Sequence, residues 1–227
     1  MMKPRRVLIL ASCLSLTAAL AFAQSADMKA MAQQFGQSAK ANAAALKMYS
    51  WTMRVGVTLK GEPKPPKLFA MRFDADGKVE KTQLTADAPK EQQHGLRGRI
   101  VEKKTAEAKE WAAELADLCK DYLAPSPALL QTLFSKVMTV QAPGGFVQLY
   151  AEGVIVPGDK LVYEIDPKTQ AINRVLFHSI LEGDPIDGVV TTDIIPGGGP
   201  THASSVTVDA PAKKITAKIE NYGYTKH

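Results

Sequence analysis

The last third of the chain, from Phe146 to Tyr224, is a succession of short runs in which apolar and polar residues alternate, and it constrains the fold more than any other stretch. Six runs are legible: FVQLYAEGV, KLVYEID, INRVLFHSILEG, IDGVVTTDII, ASSVTVDA and KKITAKIENYGY. A period of two places successive side chains on opposite faces of a strand. Between the runs stand Pro157-Gly158-Asp159, Asp166-Pro167, Gly183-Asp184-Pro185, Pro196-Gly197-Gly198-Gly199-Pro200 and Ala210-Pro211. Each supplies a fixed φ, a positive φ or a side-chain bond to the backbone. Connections this short join antiparallel neighbours, whereas parallel strands need a crossover of a dozen residues or more. The stretch is therefore a six-strand meander.

Upstream, the period changes. From Ser25 to Met48 it is helical, with Met28, Met31, Phe35, Ala39 and Leu46 near one stripe, alanines filling much of the rest, and Ser25 or Asp27 placed to cap the start. Tyr49 to Lys60 alternates again, Trp51, Met53, Val55, Val57 and Leu59 facing one way. The prolines of GEPKPPK make an exposed extended loop. A strand from Leu68 puts Phe69, Met71 and Phe73 on one face, and Asp76-Gly77 turns it into a third strand over Val79 to Thr85. Residues 86–98 are polar and turn-rich. Helical spacing returns from Ile100 to Leu123, with Trp111, Leu115, Leu118, Cys119 and Tyr122 on one stripe. A further helix starts at Ser126-Pro127 and buries Leu129, Leu130, Leu133, Phe134, Val137 and Met138.

The order is helix, three strands, two helices, six strands. About nine antiparallel strands in one sheet must curl, because strand twist accumulates. Three helices suffice for one face, so the expected fold is α+β: a curved antiparallel sheet, an open half-barrel, wrapped over three helices. At 227 residues with 45% hydrophobic and 22% charged side chains, one domain accommodates this, here residues 24–227.

Residues 1–23 read as a secretory signal peptide: Lys3, Arg5 and Arg6, an apolar run from Val7 to Leu20, then Ala21 and Ala23 flanking Phe22. The expected location is periplasmic or secreted. Leu10-Ala11-Ser12-Cys13 is the competing signal, a lipid anchor through Cys13. Removal of residues 1–23 takes three basic residues from the 28, leaving 25 against 23 acidic ones, a net charge of +2. No basic face or nucleic-acid-binding module is apparent in that balance. Cys119 is then the one remaining cysteine, so an internal disulfide is excluded. No other run is long and apolar enough for a spanning helix.

Catalytic and cofactor signatures are missing: the sequence holds no serine-hydrolase elbow, zinc-protease histidine pair, phosphate loop or dinucleotide fingerprint. His178, Asp184, Asp187, Asp193 and His202 cluster in sequence, but without ligand spacing, and the acidic residues sit where turns favour Asp; no metal is expected. Cys119 reads as a core thiol. Arg97, Arg99, Lys103 and Lys104 form a basic cluster at a helix start, suited to a solvated face or to lipid head groups.

This element order, the Met- and aromatic-rich strands and the ending IENYGYTK resemble the LolA and LolB superfamily of periplasmic lipoprotein carriers. LRGRIVEKKTAEAKEW and DAPAKKI are also similar to stretches of uncharacterised secreted bacterial proteins. The superfamily resemblance implies a non-catalytic carrier whose apolar cavity takes lipid or an acylated ligand, and no cofactor. With the strands paired as above, Trp51, Met53, Phe69, Met71, Phe73, Leu149, Leu161 and Tyr163 would line the concave face, an adaptable surface for acyl chains. Arg54 and Arg72, each within an early strand, are the candidates for head-group contacts. If those side chains simply pack against the helices, the same fold becomes an envelope protein–protein interaction module. A secreted hydrolase is the third reading.

Overall fold

The computed structural model describes residues 33–34, 36–86, 96–123, 126–169 and 171–227. The signal peptide and Cys13 lie outside the described residues, as do Met28, Met31 and Phe35 and the side chains of Arg97, Arg99, Lys103 and Lys104.

Alternation produces strands where the sequence suggests them. Helix α1 covers residues 36–46. Strands β1 (Tyr49–Leu59), β2 (Glu62–Pro63), β3 (Lys67–Phe73) and β4 (Val79–Gln83) follow, then helices α2 (Leu96–Leu123) and α3 (Pro127–Lys136). The chain continues through β5 (Met138–Gln141), β6 (Val147–Glu152), β7 (Lys160–Ile165), β8 (Ile172–Leu181), β9 (Asp184–Ile194), β10 (Thr201–Ala210) and β11 (Ile215–Lys226). All strands belong to one antiparallel sheet in the order β4-β3-β1-β11-β10-β9-β8-β7-β6-β5, with β2 beside β1. The sheet is curved and does not close, which makes the α+β half-barrel. β1 and β11 zip together the two meanders, Met53 facing Asn221 and Val57 facing Ala217.

Among the described residues eleven strands form, against about nine expected. Glu62–Pro63 was assigned to an exposed loop but pairs with Thr58 and Leu59. A proline is tolerated there because a strand this short at the sheet's margin needs no donor from it. Met138 was assigned to the buried face of α3. That helix instead stops at Lys136, Val137 turns extended, and Met138 begins β5 with more than half its surface exposed. Val137, Thr139 and Val140 are β-branched, which disfavours another helical turn and suits a strand. The start of α3 is as expected: the Ser126 hydroxyl accepts from the Leu129 N–H at 3.2 Å, with Pro127 in the first turn.

The core lies under β6–β10. Their inward residues, among them Leu149, Leu161, Val175 and Phe177, pack against Trp111, Leu115, Cys119 and Tyr122 of α2 and Leu133 of α3. Leu149 and Leu161 keep only 1% and 2% of their surface, so this part of the interior is filled. Cys119 is buried among them, and burial pushes its thiol up to about 11. A thiol-specific reagent at pH 8 should therefore label the native protein at least ~100-fold more slowly than the urea-unfolded chain, since the thiolate is the reacting form. Among the described residues no helix is long and apolar enough to cross a membrane.

A polar knot fastens α2 to the sheet. Asp159, fully buried, accepts from the N–H groups of Val154 and Ile155 at 2.8 Å and of Val156 at 3.1 Å. The Tyr122 hydroxyl lies 2.8 Å from the same carboxylate and 2.9 Å from the Ser179 hydroxyl, while Tyr163 donates to the Tyr122 carbonyl at 3.0 Å. Buried polar groups demand partners of this kind. Within the Pro157-Gly158-Asp159 turn the Asp makes the expected side-chain bonds to the backbone, and it faces inward and organises the loop.

Candidate functional site

Beyond the filled core, towards α1, the interior opens. A cavity of about 560 Å³ lies between α1 and the sheet. Its roof is made of small side chains, Ser38, Ala39, Asn42 and Ala43, followed by Leu46. Alanines at successive helical positions form a face too thin to reach the sheet, so the space below stays open. The floor comes from Tyr163, Ile172, Val175, Val190 and Thr192, and one end from Leu123 of α2 and Leu130 of α3. Among the described residues, none that lines the cavity is Asp, Glu, Lys or Arg.

Asn42 holds the roof in place. Its Nδ2 donates to the Thr201 carbonyl at 2.6 Å, and its Oδ1 accepts from the Thr201 N–H at 2.7 Å, so one side-chain amide pairs both main-chain groups of a β10 residue. Replacing it with alanine removes two partly buried bonds, an effect of about 1–2 kcal/mol on the seating of α1. Hydrogen exchange of residues 36–46 should accelerate about tenfold in Asn42→Ala while exchange in β6–β9 is unchanged.

Among the described residues the cavity wall is uncharged. Burial raises the Tyr163 hydroxyl above the usual tyrosine range. His202 is lowered, mainly by burial and against the opposing pull of Asp193, so its imidazole is uncharged at neutral pH. Its Nδ1 is buried without a hydrogen-bond partner among the described residues.

Of the eight residues proposed from sequence as lining, Tyr163 borders this cavity, and Leu149 and Leu161 belong to the packed core. The other five gather on the opposite wing of the sheet. Trp51 stands opposite Met71 and Met53 opposite Phe69; the Trp51 ring lies 5.6 Å from that of Phe73 and stacks on Tyr224 at 5.7 Å. Lys81 sits 3.9 Å over the Phe69 ring. Arg54 bonds Glu220 at 2.6 Å, and Arg72 bonds Glu80 at 2.5 Å. Arg72 and Phe73 border a second, more polar hollow of about 660 Å³ with Ser50, Asp74 and Glu80. His178 pairs with Asp187 at 2.7 Å across β8 and β9, both substantially exposed. Asp187 and Asp193 lie within β9, not in turns.

Ala39 and Leu46 of the expected helical stripe border the cavity, whereas Ser38, Asn42, Ala43, Thr192 and Thr201 stand outside the residues the sequence singles out. The available signal was the run SAKANAAAL, in which one amide stands among alanines at the spacing of a helix face.

Fold and site define an open half-barrel with a roofed hollow that is free of charged side chains among the described residues. Similar solved structures include a DUF1329 family protein from Desulfovibrio piger, with a TM-score of 0.37 at 9% identity over 88% of this chain and 92% of that one. They also include a LolA superfamily protein from Nitrosomonas europaea, with a TM-score of 0.37 at 5% identity over 83% of this chain and 93% of the other. No family model and no curated protein matches the sequence.

Proposed function

We propose that the protein is a non-catalytic carrier of an apolar, acyl-type ligand acting in the periplasm or outside the cell. The observation that carries this reading is the hollow under α1: about 560 Å³, apolar on most of its wall and, among the described residues, free of charged side chains. Ligand sites are commonly ~300–1,000 Å³ and mainly apolar. A cavity of this kind gains free energy by exchanging water for hydrocarbon. The basic and apolar start of the sequence supports export. The buried, protonated Cys119 supports a role without covalent chemistry.

Mass spectrometry of an organic extract of the protein purified from its native host tests the reading. Acyl species at about one per chain are expected. A clean extract, together with no saturable uptake of a fluorescent fatty-acid probe, would oppose it. The second reading, an interaction module, is favoured by one observation: β5, at the end of the sheet, is the uncharged run Met-Thr-Val-Gln, with Met138 and Val140 exposed. Uncharged edge strands invite a further strand. That reading expects a protein partner to be lost in Val140→Lys while probe uptake is unchanged.

A further inference from the structure

We infer that the cavity recognises its ligand by the hydrocarbon chain alone and is indifferent to the head group, which remains outside; the ligand class is then any molecule bearing a free linear apolar tail, whatever its terminal charge. The inference rests on the proposed binding of an apolar chain and adds what governs selectivity. Three observations carry it. First, among the described residues the wall offers no charged side chain to pair with a carboxylate, phosphate or ammonium. Second, several polar groups in the wall are already engaged with the protein. Asn42 spends its amide on the Thr201 main chain. Tyr163 donates to the Tyr122 carbonyl, Thr192 to the carbonyls of Ile172 and Asn173, and Thr169 accepts from the Ala171 N–H. Third, His202 adds no cation, and its Nδ1 is too deeply buried to be reached from the cavity.

An ionised head drawn inside would lose its hydration and find no partner, a penalty that exceeds anything a few extra van der Waals contacts return. A hydroxyl or ester would find the Asn42 amide and the Tyr163 and Thr192 hydroxyls already bonded. The head group therefore stays in water, where acid, alcohol and ammonium are equally at ease. What enters is methylene, and each one buried contributes about fourfold in affinity.

The test is displacement of a neutral fluorescent acyl probe from the full mature chain by dodecanoate, dodecanol and dodecyltrimethylammonium, all below their aggregation concentrations. The C8, C10, C12 and C14 carboxylates are run alongside. The three C12 compounds should agree within threefold, and the acids should tighten about fourfold per methylene until the hollow is filled. A tenfold or greater preference for the acid or for the ammonium, with binding otherwise intact, would mean that a charged group reads the head, and would overturn this inference alone. No saturable binding by the probe or any competitor would overturn the proposed function and this inference together.

Discussion

Asp159→Ala is expected to produce the largest single loss of stability in the molecule, about 4 kcal/mol, because it strands several buried donors at once. The N–H groups of Val154, Ile155 and Val156 all point at this carboxylate. The Val154 donor is buried and those of Ile155 and Val156 are partly so, which leaves them poorly paired once the carboxylate is gone. The Tyr122 hydroxyl would keep Ser179 as a neighbour, so the damage to α2 itself is smaller. Asp159→Asn retains one carbonyl oxygen and should lose about half as much, whereas Tyr122→Phe removes a single hydroxyl and should lose about 1–2 kcal/mol. Urea denaturation at constant m-value measures the series. A loss below about 1 kcal/mol for the alanine variant would show that the loop is held by something other than its Asp.

The second large effect is at Gly188. A Cβ placed there would lie 2.0 Å from Cζ and 2.1 Å from Cε1 of Phe177, its partner across β8 and β9. The Phe177 ring cannot retreat, since on its other side it stacks on Tyr122 at 4.4 Å with the planes 1° apart. Gly188→Ala therefore forces the ring against Tyr122 of α2, and about 3 kcal/mol of destabilisation follows from such overpacking. Loss of near-ultraviolet circular dichroism should accompany it. Adding Phe177→Leu to Gly188→Ala makes room and should recover part of the loss, a non-additivity that a general intolerance of β9 would not give.

Both effects concern features that sequence patterns reveal poorly. The alternation in β6–β11 and the α2 stripe from Trp111 to Tyr122 are periodic, and periodicity depends on local geometry alone, so those elements and the half-barrel class were legible. The pairing of β1 with β11 joins residues such as Arg54 and Glu220, far apart in the chain, and no local signal encodes it. Asp159 looked like turn chemistry because a turn residue and a buried acceptor share the same side chain. β5 was hidden at the end of a helix-like apolar run, where Val137 could belong to either element.

The hollow was the least legible feature. Alternation marks which residues face inward, but it does not say whether anything opposes them. Leu149 and Tyr163 read alike as inward residues, yet the first lies against α2 and the second reaches the open space. The difference is made by the short side chains of α1 and by the tether of Asn42 to β10. Trp51, Met53, Phe69, Met71 and Phe73 form an apolar wing of their own for the same reason: shared facing along a sheet this wide does not place residues in one site.

Titration of the wild-type chain and of Ala43→Phe with a neutral fluorescent acyl probe tests the central claim most directly. Ala43 is an exposed residue of α1 that borders the hollow, so a larger side chain fills the space without disturbing the core. Saturable binding of one probe per wild-type chain is expected, weakened about tenfold or more in Ala43→Phe, which corresponds to at least ~1.4 kcal/mol of lost binding energy at an unchanged melting temperature. Equal binding by the two proteins would place the ligand elsewhere and contradict a carrier built around the space beneath α1.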